Sequence, residues 1–155
     1  MAEAILNRNG EGRFTAASAG SQPAARVNPY AIETLRDAGI HWAGHAPRPA
    51  EGLEREPWDF VITVCDRAKE SCPVFPGHPV LAHWGMPDPA EVGGDDAAKR
   101  AAFRDAFVLL SRRIDLLLAL PVEQLERLAL EARVRAIGVE AASSRPLVPD
   151  LTRPQ

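Results

Sequence analysis

The sequence is sparing in several features that would place it quickly. Cysteine occurs only twice, at Cys65 and Cys72. In a chain without a secretory signal, so sparse a pair fits a reducing cytosol, where thiols more often serve catalysis or metal binding than structure. There is no basic excess: the formal charge is −3 and the pI is near 5.8. That leaves no electrostatic footprint for nucleic acid. No apolar run approaches the roughly 18 residues of a membrane span. The opening MAEAILNRNG has neither a basic n-region nor a long h-region, so no secretory leader is expected. The expectations are a cytoplasmic location, no nucleic-acid partner and no membrane partner. No internal repeat is found.

What is present suits one domain, since 155 residues at 46% apolar content can build a real core. Residues 2–8 read as a helix with Ala2, Ile5 and Leu6 inward, stopped by Asn9-Gly10. Arg13 to Ser18 reads as a short strand. Asn28-Pro29 is a helix start, an N-cap followed by Pro at the first helical position. Ile32, Leu35 and Ala38 form its expected buried stripe, closed by Gly39. Residues 41–56 read as loop with one turn of helix at most. Phe60 to Val64 is β-branched and uncharged, a buried strand, and Val80 to Trp84 is a second. From Asp95, Phe103, Phe107, Leu110, Ile114 and Leu117 repeat at helical spacing until Pro121. A last helix is expected to face Leu125, Leu128, Ala132 and Ala136 inward and to end at Gly138. The domain is thus expected over 1–138, with 139–155 a disordered tail. Strands alternating with helices predict an α/β class, an open parallel sheet with helices on both faces. Active sites of that class sit at the carboxyl ends of strands.

The stretch from Trp58 to Asp88 draws attention for that reason. Cys65 directly follows the first strand, and Asp88-Pro89 lies a few residues past the second. If the segment between Cys65 and Cys72 is helical, its rise puts the two Cα atoms roughly 10 Å apart. A disulfide tolerates at most about 7 Å. The pair then meets only if the segment unwinds, and Pro73 with the short polar sequence favours unwinding. Arg67 and Lys69 favour thiolate character. Plainer readings stand beside this one. The cysteines can be two unrelated buried thiols, and Asp88 a turn residue. Zinc held by Cys65, Cys72, His78 and His83 lacks the Cys-x₂₋₄-Cys knuckle. His41 and His45 read as surface or loop residues, and Trp84 as packing.

Taken together, VITVCDRAKESCP and HWGMPDPA resemble the thioredoxin-coupled arsenate reductases, which share the fold of the low-molecular-weight protein tyrosine phosphatases. MAEAIL resembles the helix after that family's phosphate loop, TAASAG its second strand and turn, and NPYAIETLRDAGI the next helix. The helices from Asp95 to Gly138 are similar to the bacterial two-cysteine branch. The resemblance implies reduction of arsenate to arsenite, in arsenic detoxification, by a nucleophile relay. In the family, a loop cysteine attacks arsenic while an Asp-Pro aspartate protonates the departing oxygen. A second cysteine then attacks the first, and a third resolves that disulfide for thioredoxin. By position, Asp88 matches the acid, Cys65 the second thiol and Cys72 the third. Ala90 stands where the phosphatases tend to carry tyrosine, which favours reductase over phosphatase. The remaining alternatives are a tyrosine phosphatase and a non-enzymatic redox or metal-binding module.

The resemblance also has a gap. The family's first strand and its Cys-x₅-Arg loop have no counterpart here, and neither cysteine is the first nucleophile. Two explanations stand, a start assigned at an internal methionine, which is favoured, or a genuine truncation; either way a central strand is expected to be absent from the sheet and a neighbouring edge left unpaired. Arg48 replaces the acidic cation ligand that some members carry shortly after the residue matching His45, so no potassium site is expected. No metal or other cofactor is expected elsewhere.

Overall fold

The computed structural model describes residues 1–65 and 74–143. Among the described residues four helices and two strands follow in chain order: α1 (Ala2–Asn9), α2 (Pro29–Asp37), β1 (Phe60–Thr63), β2 (Val80–His83), α3 (Asp96–Leu118) and α4 (Arg127–Ser143). Single 3-10 turns occupy Leu53–Arg55 and Pro89–Glu91. β1 and β2 run parallel, with Phe60 opposite Val80 and Thr63 opposite His83. Helices around a small parallel sheet make this an α/β fold.

The long helix α3 is the hub. Its start is fixed locally, because Asp95 Oδ1 accepts from the Ala98 N–H at 2.9 Å. Phe103, Ala106, Leu110, Ile114 and Leu117 are buried along one stripe, and α1, α2 and α4 all pack on this helix. At its far end Arg13 donates at 2.9 Å to the Leu118 carbonyl, which the helix leaves unbonded, and at 3.3 Å to the Leu120 carbonyl just beyond the helix. Ile5, Leu35, Val80, Trp84, Val134 and Ile137 complete the core. α2 begins as expected, with Asn28 Oδ1 accepting from the Tyr30 N–H at 3.0 Å and Pro29 following.

Several expectations need correcting. The buried stripe of α2 is Ala31, Thr34 and Leu35, because the helix ends at Asp37 and leaves Ala38 outside as an exposed cap. Thr34 tolerates burial by donating its hydroxyl to the Tyr30 carbonyl at 2.8 Å. Residues 13–18 form no strand. Their backbone bonds instead to a side chain: Asn7 Oδ1 accepts from the Ala16 N–H at 2.7 Å, and Asn7 Nδ2 donates to the Ala16 carbonyl at 3.0 Å. Only a single bridge, Gly20 to Pro49, follows. All four β1 residues are half-buried, not buried.

The last helix differs in phase and in length. Leu128 is 80% exposed, whereas Val134 and Ile137 are buried, so the inward face lies on other positions than the expected Leu125, Leu128, Ala132 and Ala136. α4 also continues through Gly138 to Ser143, so the expected tail is helical over 139–143. Residues 144–155 of that tail lie outside the described residues. Gly138 is no helix stop. It is the point of closest approach to β2, where an added Cβ would fall 2.4 Å from the His83 carbonyl oxygen.

This contact has a wider role, because α4 lies along the outer edge of β2. Arg127 donates to the Pro79 carbonyl at 3.4 Å and Arg135 to the Leu81 carbonyl at 3.1 Å. Two carbonyls along the outward side of β2 are therefore taken. β1 is different. Its odd residues bond to β2, as the Val80 N–H does to Asp59 O and the Trp84 N–H to Thr63 O. Phe60 and Ile62 point their backbone groups the other way and make no hydrogen bond among the described residues. The expectation of an unpaired edge is met at β1.

A polar network ties α2 to α3. The Tyr30 hydroxyl donates to Asp96 Oδ1 at 2.7 Å, and Arg100 bonds Glu33 at 2.8 Å while lying over the Tyr30 ring. The hydrogen bond to Asp96 raises the Tyr30 phenol, and the same bond lowers Asp96. The bond from Arg100 chiefly lowers Glu33. The depressed carboxylates contribute stability above their unfolded values, and that contribution is lost as pH falls through the folded ones. The raised phenol contributes below its ordinary value, and that is lost as pH rises through the folded one. Tyr30 is the only tyrosine, so a phenolate absorbance titration reads it alone. The midpoint is expected above 10.0 and is expected to fall back in Asp96→Ala; equal midpoints in the two proteins would contradict the bond.

Candidate active site

The chemistry-bearing residues gather where the parallel pair ends. Cys65 follows β1 as a half-buried free thiol. Beyond β2 the chain stays alongside it: the Trp84 N–H donates to Thr63 O at 2.8 Å, and the Met86 N–H to Val64 O at 3.1 Å. Met86 is thus held beside the residue preceding Cys65, and Asp88 follows two positions later. Asp88 is exposed and caps its own 3-10 turn, with Oδ1 accepting from the Ala90 N–H at 2.9 Å. The turn packs on α3. Its carboxylate is therefore both a turn-former and an accessible acid, so the two sequence readings are not exclusive. Thr63 and His83, opposite each other in the register, are linked through Oγ1 and Nδ1 at 2.8 Å. The His83 ring lies over Gly85, where an added Cβ would come 2.6 Å from Nε2.

A second cluster sits at the start of α1. Glu3 Oε2 accepts from Ser18 Oγ at 2.5 Å, and Oε1 lies 3.3 Å from His45 Nε2. Arg48 Nε donates to the Ser18 carbonyl at 3.3 Å. These residues line a cavity of about 600 Å³ that reaches Ala90, two residues past Asp88. The Asp88 turn and this cavity are therefore neighbours.

With that arrangement in view, comparison with known proteins is decisive on kinship. Residues 1–131 match the family described as low molecular weight phosphotyrosine protein phosphatase. The chain belongs to that family. Among curated relatives, an "Arsenate reductase" of Halalkalibacterium halodurans is 33% identical over 88 residues, 57% of this chain and 63% of the relative. One from Bacillus licheniformis is 33% identical over 114 residues, 74% of this chain and 81% of the relative. "Arsenate reductase 2" of Staphylococcus saprophyticus is 38% identical over 64 residues, 41% of this chain and 49% of the relative. The chain spans less than two thirds of the Halalkalibacterium relative's length.

Within this phosphatase-family chain, two of the three expected site residues, Cys65 and Asp88, follow the same ends of the paired strands. Cys72 lies outside the described residues, as does the segment expected to unwind. Among the described residues no group of three His, Cys, Asp or Glu side chains could hold a metal ion. The Glu3–Ser18–His45 cluster does not fit a potassium ion, because the Arg48 guanidinium stands at its rim and would repel one. Among the described residues no helix is long and apolar enough to cross a membrane. The sequence reading passed over three features: the Glu3–Ser18–His45 contacts, the Thr63–His83 pair and Arg113. Only Arg113 left a signal, a charge falling in phase with Ala106, Leu110 and Leu117 on the apolar stripe of α3.

Proposed function

We propose that this chain serves the reduction of arsenate to arsenite, in arsenic detoxification, contributing a general acid and two relay thiols. Asp88 protonates the oxygen that leaves when a first cysteine, not among these 155 residues, bonds to arsenic. Cys65 attacks that cysteine's sulfur. An S–S bond forms, the As–S electron pair stays with arsenic, and arsenite departs. Cys72 then attacks Cys65 and frees the first thiol, leaving a Cys65–Cys72 disulfide. Thioredoxin, acting in the cytoplasm, donates the dithiol that restores the pair.

The observation that carries the reading is the backbone link of Met86 to Val64, which puts the Asp88 turn and Cys65 at one end of one strand pair. The relatives named arsenate reductase support it. The family description favours phosphatase chemistry as a second reading, and Ala90 after Asp88-Pro89 weighs against it.

The test uses the chain as it stands, mildly oxidised, with thioredoxin, thioredoxin reductase and NADPH. Stoichiometric NADPH consumption is expected, and it should vanish in Cys65→Ser and in Cys72→Ser. Multiple turnover on arsenate is expected only after a strand and Cys-x₅-Arg loop are joined to it. An oxidised chain that thioredoxin leaves untouched would remove the relay. Aryl phosphate hydrolysis by the joined form, indifferent to Cys72→Ser, would favour the phosphatase.

A further inference from the structure

Arg113 is 0% exposed, in the middle of α3. Its Nη1 donates to the Trp84 carbonyl at 2.6 Å, and its Nη2 to the Gly85 carbonyl at 3.2 Å and the Gly138 carbonyl at 3.0 Å. Among the described residues Nε finds no partner and no carboxylate pairs with the guanidinium. Desolvating a cation costs several kcal/mol, and a well-packed hydrocarbon in its place is often no less stable. A buried guanidinium is thus a poor device for stability alone. What it holds accounts for it.

Two of its three acceptors are consecutive carbonyls at the exit of β2, and the third belongs to α4. The exit is pinned from its other sides as well. Trp84 Nε1 donates to the Val134 carbonyl at 2.9 Å, and the His83 ring covers Gly85. Three residues beyond Gly85 comes Asp88, whose turn rests on the same helix that carries Arg113. The chain between is only Met86-Pro87, where the Pro87 ring fixes φ, and Pro89 restricts the backbone of Asp88 from the other side. A segment this stiff transmits the placement of its start to its end.

We propose that Arg113 is a positioning residue for Asp88: its fork across the Trp84 and Gly85 carbonyls fixes the β2 exit and so aims the Asp88 carboxylate. The inference rests on reading Asp88 as the acid. Arg113→Lys keeps the charge but has no planar fork to span both carbonyls.

Hydrogen exchange on the whole chain tests the placement directly. In Arg113→Lys, the amides of Met86, Ala90 and Glu91 are expected to exchange about tenfold faster or more, through local opening. Amides of α1 and α2 are expected to keep wild-type rates. Unchanged rates at Met86, Ala90 and Glu91 would overturn the proposal. So would an equal acceleration in α1 and α2, which marks an ordinary core residue. In the loop-joined form that turns over arsenate, Arg113→Lys is expected to lower kcat with KM unchanged, and a change in KM alone would overturn it. Exchange needs no arsenate, so a failure here and a failure of the arsenate reading are separately visible.

Discussion

Gly138→Ala is expected to destabilise the protein by about 1–3 kcal/mol, the usual cost of overpacking. In most helix interiors the same substitution stabilises by roughly 0.5–1 kcal/mol. The sign reverses here because the new methyl would stand 2.4 Å from the His83 carbonyl oxygen and 2.9 Å from Trp84 Cδ1. One neighbour is backbone in a paired strand, and the other is an indole fixed by its own hydrogen bond to Val134. Neither can turn aside. α4 must move outward, and that lengthens the bonds from Arg113 to Gly138 and from Arg135 to Leu81. Against total stabilities of about 5–15 kcal/mol, the loss is large. Urea unfolding followed by tryptophan fluorescence measures it, and a variant as stable as wild type or more so would refute the close approach of α4 to β2.

Asp88→Asn is expected to lower arsenate turnover of the loop-joined form by about 10²–10⁴, the usual range for losing a general acid. Asparagine still offers Oδ1 to the Ala90 N–H and caps about as well as aspartate, so the turn should persist and the thermal midpoint hold. Asp88→Ala removes acid and cap together, and it should lose the same activity plus about 1 kcal/mol of stability. The comparison divides the two roles that one carboxylate fills. Wild-type turnover in Asp88→Asn would leave the residue a turn-former only.

Local signals were legible in the sequence, and long-range ones were not. Asn28-Pro29 and Asp95 marked helix starts correctly because a cap depends on groups two or three residues away. The two strands were legible because β-branched, uncharged runs have few other uses, and with them the placing of Cys65 and Asp88 at strand ends. The inward face of α4 was not legible. Choosing Val134 and Ile137 over Leu128 requires knowing that Gly138 must meet β2, a contact more than fifty residues distant in sequence. Gly138 itself misled, since a glycine at the end of a periodic run signals a helix stop far more often than a contact point. The segment at 13–18 misled differently: its composition permits a strand, but the amide of Asn7 takes its hydrogen bonds. Arg113 could be seen as a charge on an apolar stripe, but its acceptors could not, since they are backbone carbonyls that the identities of Trp84, Gly85 and Gly138 do not announce.

The covered edge of β2 and the bare edge of β1 give the sheet a direction. Among the described residues, a strand from any source finds open hydrogen-bonding groups beside Phe60 and Ile62, while Arg127, Arg135 and Gly138 bring the last helix against the other side. Two copies meeting at β1 consume the only free edge either has among the described residues. Among the described residues such a pair offers no second bare edge, so edge-to-edge pairing, the step by which bare strands build fibres, does not continue from it there.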